Sequence, residues 1–389
     1  MGPLVVPAQS LAPGPALRFS LVIPTYNEAK NIALLIDQLE RLLEPVLGER
    51  YELIVVDDDS PDRTWELVEG LLPAHPRVRL VRRQGERGLS TAVIRGWQVA
   101  RGEVLGVMDS DLQHPPEVNC ELLKEIDRGA DLAAGSRHVA GGGVSDWSMA
   151  RRVLSRGAQL LGLLLLPSVL GRLSDPMSGY FMVRRDAIAN VTFNPLGYKI
   201  LIEVVARGRI NWIGESGYVF RERSQGESKV TWKLYLLYLQ HLLRLRIATL
   251  AKSRLFRFCV VGASGVLVDM CLLYLLSDPR MLGLGLTRSK LIAAEMAILN
   301  NFMWNDAWTF GDRARAQPGL RWKFRRFIGF NAICLAGVLL NVVILNLLFN
   351  LAHMNRYLAN AIAIVLVTFW NYGLNRALNW APVSIRGRR

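Results

Sequence analysis

The stretch "GEVLGVMDSDLQHPPE", residues 102–117, joins an apolar run directly to a cluster of polar side chains. The run at 102–108 has the length and composition of a buried β-strand. Asp109 and Asp111 stand one residue apart at its end, and Gln113 follows two positions later, before a double proline. A turn needs one acidic residue at most. The paired carboxylates therefore indicate that a positively charged group binds at the end of this strand.

The same alternation of strand and helix patterns extends on both sides of this stretch. The predicted strands are 17–28, 51–60, 78–83, 102–111 and 131–137, and the predicted helices are 31–43, 62–72, 89–100 and 116–127. Strands that alternate with helices form a mostly parallel sheet with helices on both faces. We therefore expect an α/β domain whose ligands bind at the carboxyl ends of the strands.

The last third of the chain is much more apolar than the rest. Four stretches approach the roughly 20 residues that cross a bilayer, and they lie at 255–276, 289–310, 327–350 and 357–378. Lys and Arg concentrate before the first stretch, between the second and third, and in the C-terminal tail. Because positive residues stay on the cytoplasmic side, both termini and residues 1–250 are predicted to be cytoplasmic.

Two pairs of short motifs repeat within these apolar stretches. "GVLVD" at 265–269 resembles "GVLLN" at 337–341, and "FMWNDAW" at 302–308 resembles "TFWNYGLN" at 368–375. The pattern predicts a parallel duplication of a two-helix hairpin.

The net charge of +14 has three common explanations, namely nucleic acid, an anionic membrane face and phosphorylated substrates. The basic residues lie beside apolar segments, as in "RWKFRR" at 321–326, which favours a lipid bilayer over nucleic acid as the partner. Segments 150–171 and 231–252 combine a basic start with apolar residues and are typical of interfacial helices. A core helix is the alternative for 150–171.

The four cysteines lack CxxC spacing, so neither a disulfide framework nor a zinc site is expected.

Three strand ends carry the candidate chemistry. Asp109, Asp111 and Gln113 offer three oxygens, which suits Mg²⁺ or Mn²⁺ held on a nucleotide diphosphate, with an Asx turn as the alternative. The acidic cluster "VVDDDSPD" at 55–62 could bind a ribose hydroxyl or a base N–H. In "IPTYNE" at 23–28, Tyr26 could stack on a base and Glu28 could accept a hydroxyl. No GxGxxG follows the first strand and no phosphate-binding P-loop motif occurs.

The set PTYNE, VVDDDSPD, DSDLQHPPE and GSR, in this order and spacing, resembles the family 2 glycosyltransferases of GT-A fold over residues 19 to about 230. The segments at 135–161, 174–185 and 220–230 are similar to the dolichol or polyprenyl-phosphate mannose synthases. The four apolar helices resemble the GtrA-like membrane domain that some members carry. The resemblance implies a flexible tail (1–18), a GT-A catalytic domain (19–230), an interfacial linker helix (231–253), a four-helix transmembrane domain (254–380) and a basic tail (381–389).

The resemblance also implies roles for individual residues, with Ser110 standing where the family's DAD motif has alanine. The implied donor, GDP-mannose, contacts Pro24, Tyr26, Glu28, Val55, Asp57, Asp109, Ser110, Asp111, Gln113, Arg137, Arg223 and Lys229. The implied Mg²⁺ or Mn²⁺ ligands are Asp109, Asp111 and Gln113, and the acceptor lipid phosphate contacts Arg151, Arg152 and Ser155. The residues expected to carry catalysis are Asp109, Asp111, Arg137, Arg223 and Lys229.

The expected reaction follows from the charge of the acceptor. A phosphate monoester has a second pKa near ~6, so it is anionic at neutral pH and attacks the sugar without a general base. In-line attack predicts inversion at the anomeric carbon. Two alternatives stay open, a glucosyltransferase that uses UDP-glucose and a lipid-linked sugar translocator whose first domain only binds. A processive polysaccharide synthase is disfavoured because the QxxRW motif is missing. The membrane domain is a candidate surface for homo-oligomers.

Overall fold

The computed structural model describes residues 4–144, 149–221 and 232–381, without the side chains of 149–155, 232–233 and 252. Two compact units make up the chain, Met1–Arg246 and Ile247–Arg389. Each is described by itself below.

The first unit is built on a seven-stranded, mostly parallel sheet. Its strands are β1 (Leu17–Thr25), β2 (Tyr51–Asp57), β3 (Val78–Arg82), β4 (Gly102–Val107), β5 (Leu132–Ser136), β7 (Phe181–Arg184) and β8 (Ile213–Gly217), while β6 (Gly143–Val144) and β9 (Val219–Phe220) form a separate pair. The spatial order is β3-β2-β1-β4-β7-β5-β8, and only β7 runs antiparallel to its neighbours. The predicted α/β class is confirmed. The observed strands end before the acidic motifs, which form loops.

Helices cover both faces of this sheet. They are α1 (Ile32–Leu47), α2 (Thr64–Leu71), α3 (Leu89–Val99), α4 (Val118–Asp127), α5 (Met149–Leu165), α6 (Pro167–Leu170), α7 (Arg185–Ile188), α8 (Ile200–Arg207) and α9 (Trp232–Lys252). Val22 joins the core that contains Trp97 of α3, whereas its neighbour Ile23 joins the core that contains Leu39 of α1. Successive side chains of a strand point to opposite faces, so a strand buried on both faces must be apolar throughout.

The N-terminal segment is part of the folded core. Val5 forms an antiparallel bridge with Thr192, and Val6 is completely buried. The N–H of Asn190 donates to the Val6 carbonyl at 2.8 Å, and the N–H of Phe193 donates to the Leu4 carbonyl at 2.8 Å. The predicted flexible tail over 1–18 is therefore wrong for 4–7. Three apolar residues in an otherwise Pro/Ala/Gly-rich segment are enough to anchor it.

Helices α5 and α9 each bury one face and expose apolar residues on the other. Ala158 of α5 is buried and its carbonyl accepts the Tyr238 hydroxyl of α9 at 3.0 Å. On the outer face of α5, Leu160 and Leu164 are 67% and 78% exposed. The buried inner face agrees with the core-helix interpretation of 150–171, and the exposed apolar face is what an interfacial helix requires. The position of α5 at a membrane surface stays a prediction.

A buried polar contact fastens α9 to the domain. His241 accepts the Leu196 N–H at its Nδ1 (3.0 Å), and its Nε2 lies 3.3 Å from the Glu203 carboxylate on α8. Both side chains are almost completely buried. Burial lowers the pKa of His241 and outweighs the nearby Glu203 charge, which raises it. The contact therefore requires the neutral imidazole.

The second unit is helical. It contains α10 (Arg254–Ser277), α11 (Leu286–Trp304), α12 (Gly311–Arg315), α13 (Leu320–Asn346) and α14 (Arg356–Leu374), with π-helical turns at Asn305–Thr309, Leu347–Leu351 and Asn375–Asn379. Among the described residues, three segments are long and apolar enough to cross a membrane, namely Arg254–Ser277, Leu320–Leu351 and Arg356–Asn379. The second predicted span, 289–310, corresponds to α11. It carries Lys290, which pairs with Asp269 of α10 at 2.5 Å, and it falls short of the apolar character of the other three.

The two hairpins share the contacts that the repeated motifs suggested, while the parallel direction of the duplication stays a prediction. Gly265 of α10 faces Asn301 of α11 so closely that a methyl group would overlap the amide, and Gly337 of α13 faces Asn371 of α14 in the same way. Each hairpin then ends in a five-residue π-helical turn, Asn305–Thr309 or Asn375–Asn379. The repeated sequence motifs thus mark repeated helix contacts.

Candidate active site

The acidic motifs meet at one edge of the parallel sheet. Thr25 at the end of β1 pairs with Asp57 at the end of β2, and Val22 pairs with Val107 of β4. The Ser110 hydroxyl donates to the Pro24 carbonyl at 3.1 Å, which ties the loop after β4 to the end of β1. Parallel strands bring their carboxyl ends to the same edge, as the sequence predicted.

The loop that carries Asp109, Asp111 and Gln113 is held from several sides. Asp111 and Gln113 are buried, whereas the Asp109 side chain is 31% exposed. The Gln113 N–H donates to Asp111 Oδ1 at 3.2 Å, and its side-chain Nε2 donates to the Arg221 carbonyl at 2.9 Å. The Tyr180 hydroxyl donates to the Pro115 carbonyl at 3.2 Å, so the double proline is fixed beneath the loop.

His114 forms the floor of this loop. Its ring lies 5.1 Å from that of Tyr180 and 5.5 Å from that of Tyr218, measured between centroids. Burial lowers the pKa of His114 to about 4. A neutral ring packed among aromatics supports the loop and is a poor proton donor at neutral pH.

The donor set fits a hard divalent cation. Carboxylate and amide oxygens are the ligands that Mg²⁺ prefers, and it takes few of them from protein when phosphates supply the rest. The described residues contain no group of three His, Cys, Asp or Glu side chains with metal-site geometry. Gly179 lies beside Asp109, and a Cβ there would stand 3.1 Å from its carboxylate. The metal ligand set Asp109, Asp111 and Gln113 stays a prediction.

Asp57 has a structural role that the sequence did not indicate. Its side chain is completely buried, and it accepts the Ser60 N–H at 2.8 Å, the Ser60 hydroxyl at 2.7 Å and the Thr25 hydroxyl at 3.2 Å. Val55 is also completely buried. Asp57 therefore shapes the ends of β1 and β2, and its contact with a nucleotide stays a prediction. Tyr26 is partly exposed at this edge, with the Arg87 guanidinium 5.1 Å from its ring centroid.

Arg137, at the end of β5, forms a buried bidentate ion pair. Its Nε and Nη2 donate to the two carboxylate oxygens of Asp175 at 2.6 and 2.8 Å, and the side chains are 8% and 1% exposed. Burial raises the pKa of Asp175, but the hydrogen bonds and charge of Arg137 outweigh it, so the pKa lies below its ordinary value. The sequence predicted Arg137 as a phosphate contact but did not identify its partner.

Lys199 is a further basic group that sequence reasoning missed. Its ammonium donates to the Met177 carbonyl at 2.5 Å. Burial and the charge of Arg137 lower its pKa to about 8, against the opposing charges of Asp109 and Asp175. Perturbed groups of this kind concentrate at functional sites. Nothing in the motif pattern identified Lys199, because it lies in a loop far from the acidic motifs in the sequence.

Several predicted residues lie beyond what the structure describes. Arg223 and Lys229 fall in 222–231, outside the described residues. Arg151, Arg152 and Ser155 lie on α5, but their side chains are outside the described set. Their assignments to donor and acceptor phosphates stay predictions.

Two protein-family models match the chain. The model of glycosyl transferase family 2 matches residues 20–192, and the GtrA/DPMS transmembrane domain matches residues 257–380. The class of protein is therefore a glycosyltransferase with a membrane domain. The parallel sheet, the acidic motifs at its strand ends and the apolar helices agree with this class.

Comparison with curated proteins narrows the class. The chain is 40% identical to the dolichol-phosphate mannosyltransferase of Pyrococcus furiosus, over 94% of this chain and 100% of that protein. It is 36% identical to the polyprenol monophosphomannose synthase of Mycolicibacterium smegmatis, over 56% of this chain and 82% of the relative. The protein belongs to the dolichol-phosphate mannosyltransferase family. Among solved structures, glucosyl-3-phosphoglycerate synthase from Mycobacterium tuberculosis is 23% identical with a TM-score of 0.45, over 59% of this chain and 80% of that chain.

Proposed function

We propose that this protein transfers mannose from GDP-mannose to a polyprenyl or dolichyl monophosphate at the cytoplasmic face of a membrane. The observation that carries the proposal is the loop with Asp109, Asp111 and Gln113 at the carboxyl edge of the sheet, in a chain that covers the full length of a dolichol-phosphate mannosyltransferase. Tyr26 and Glu28 stand at the same edge, where a nucleotide would lie.

Mg²⁺ or Mn²⁺ is the proposed cofactor, held by Asp109, Asp111 and Gln113. Such an ion supplies positive charge to the diphosphate oxygens. The chain's own contribution is positional. Ser110 ties the loop to β1, Gly179 leaves room for Asp109, and Tyr180 holds Pro115 below it.

Arginine and lysine side chains would align the two phosphates. Arg137 is fixed by Asp175, and Arg223 and Lys229 are proposed to join it on the donor diphosphate. Arg151 and Arg152, with Ser155, are proposed to receive the acceptor phosphate, for which the planar fork of arginine is well suited. The attacking oxygen is already anionic, so no general base is assigned, and attack opposite to the departing nucleotide inverts the anomeric centre.

A transfer assay tests the proposal. Membranes or purified protein are incubated with labelled GDP-mannose, polyprenyl phosphate and Mg²⁺ or Mn²⁺, and labelled lipid is extracted. We expect Asp111→Ala to reduce transfer by about 100-fold or more, the order found when one electrostatic contact of a catalytic site is removed. Glu121→Ala, an exposed carboxylate on α4, is the control and should retain full transfer.

The outcomes separate the alternatives. Undiminished transfer by Asp111→Ala, or no labelled lipid from wild type, contradicts the proposal. Transfer from labelled UDP-glucose in place of GDP-mannose indicates the glucosyltransferase. Binding of nucleotide sugar without transfer indicates the translocator.

A further inference from the structure

A cavity of about 420 Å³ lies within the helical unit, apart from every residue assigned to the transfer reaction. This open cavity is lined by the π-helical turn after α11, by α12 and by the start of α13. The residues that define its chemistry are Asp306, Arg315, Gln317, Leu320, Lys323 and Arg326.

The floor of the cavity is a buried ion pair. Arg326 is 7% exposed, and its Nε and Nη2 donate to the two oxygens of Asp306 at 2.8 and 3.3 Å. Its Nη1 donates to the Gln317 carbonyl at 3.2 Å, and the Trp380 indole N–H donates to Asp306 at 3.1 Å. A guanidinium carries five N–H groups. Within the described part of the chain, two of those on Arg326 have no acceptor, so a buried cation with spare donors borders the cavity.

The exposed edge of the cavity carries two further positive charges, which the buried ion pair does not neutralise. Arg315 and Lys323 are exposed and line the cavity, and neither forms an ion pair with a described residue. Since Asp306 and Arg326 neutralise each other, these two residues give the cavity its net positive charge. Gly319 caps α13 without a side-chain acceptor, so the N–H groups of that first turn add to the attraction for an anion.

The position of the cavity indicates where its ligand comes from. α12 is joined to the start of α10 by the ion pair of Arg254 with Asp312 at 2.6 Å, so the cavity lies where the first apolar helix begins. Leu320 and Phe324 beside it are 86% and 64% exposed. A basic cavity bordered by exposed apolar side chains at the end of a membrane helix matches a ligand with an anionic head and an apolar tail. We propose that this cavity binds the phosphate headgroup of an anionic membrane lipid.

Photolabelling tests the proposal on the full-length protein in detergent. The probe is phosphatidic acid with a photoreactive acyl chain, and adducts are mapped by mass spectrometry to the segment 311–326. We expect the double variant Arg315→Gln/Lys323→Gln to lose about tenfold of this labelling. The double variant Arg321→Gln/Arg325→Gln is the matched control. It removes the same charge from the same region outside the cavity and should keep labelling within about twofold.

Any of four results overturns the proposal. The first is no adduct in 311–326 of the wild type, and the second is equal loss in both double variants, which indicates bulk charge alone. The third is equal labelling by a phosphatidylcholine probe, which shows that the cavity does not select an anionic head. The fourth is displacement of the lipid by inorganic phosphate at equal concentration, which assigns the cavity to free phosphate. The readout requires no transferase activity, so it is independent of the proposed reaction.

Discussion

At the scale of single residues, the Arg137–Asp175 pair joins a residue proposed to bind phosphate to a buried structural partner. Removing one partner of a buried ion pair leaves an uncompensated charge, which costs about 3–5 kcal/mol. We expect Asp175→Ala to lower the free energy of unfolding by this amount and to move Arg137 from its position. Glu121→Ala, in an exposed pair with Lys124, should change stability by less than about 1 kcal/mol. Thermal unfolding of both variants measures the difference, and equal effects would contradict it.

Replacing Lys199, unlike replacing Asp175, should not lower the stability of the fold. Its pKa is lowered to about 8, so the folded state resists the charged form, and this penalty is fully present below pH 8. We expect Lys199→Met at pH 7 to leave stability unchanged or to raise it, although the hydrogen bond to Met177 is lost. Transfer should fall by about 10-fold or more, because a positive charge beside Asp109 and Asp175 is removed. Lys30→Met, at an exposed position, is the control. Full activity of Lys199→Met would exclude a functional role.

The sequence analysis identified candidate site residues that are neighbours in the chain. It missed those that are distant in sequence and lie close only in the folded protein. Asp109, Asp111 and Gln113 stand together in one loop because they are adjacent in one motif. Lys199 and Asp175 reach the site only through the loops before α8 and β7, and no local pattern marks them. Asp57 was expected to bind a nucleotide, but a carboxylate at a strand end can equally cap its own turn, as its bonds to Ser60 show.

At the scale of elements, α9 depends on one neutral histidine. Burial lowers the pKa of His241 below its ordinary value of 6.5, so the unfolded chain binds this proton more readily than the folded one. Stability should therefore rise with pH from the folded pKa up to about 6.5 and fall on acidification through that window. The charged groups that face His241 are Glu203 and Arg207 of α8, with Arg244 on α9 itself.

His241→Gln isolates this effect, since glutamine does not titrate. We expect the difference in melting temperature between the wild type and His241→Gln to shrink between pH 7.5 and 5.5. A difference that stays constant over this range would contradict the protonation model.

Element types were predictable because their periodicity is local, whereas their ends were not. The predicted strand 102–111 stops at Val107, because the acidic residues form a loop tied to β1 through Ser110. The helix predicted from the double proline begins at Val118. α11 was predicted as a span from its length, but Lys290 and its partner Asp269 make this hairpin more polar than the pattern suggested.

At the scale of the whole molecule, the repeated glycine contacts of the two hairpins predict that equivalent substitutions have similar effects. Gly265→Ala and Gly337→Ala should each lower the stability of the helical unit by about 1–3 kcal/mol, because the new methyl group overlaps Asn301 or Asn371. Gly262→Ala is the matched control. It lies on the same helix as Gly265 with nothing within 4 Å, and should gain about 0.5–1 kcal/mol from helix propensity. Heating the detergent-solubilised protein and measuring the monodisperse fraction ranks the three. Similar behaviour of all three variants would show that the close contacts of Gly265 and Gly337 do not contribute to stability.

The domain order was predictable because hydropathy and motif order change abruptly along the chain. The folded position of the N-terminal segment was not predictable, because its composition is that of a linker and its pairing partner, Thr192, lies far along the chain. A segment this short shows no periodic pattern from which its long-range pairing could be predicted.

That pairing has a consequence for how the protein is made. Thr192, the partner of Val5, leaves the ribosome 187 residues after it (192 − 5), and at roughly 5–20 residues per second the delay is on the order of 10–40 s. The buried place of Val6 cannot be filled during that time, so Val5 and Val6 stay exposed until most of the catalytic domain has been synthesised. Docking of this segment would therefore be among the last steps in completing the domain.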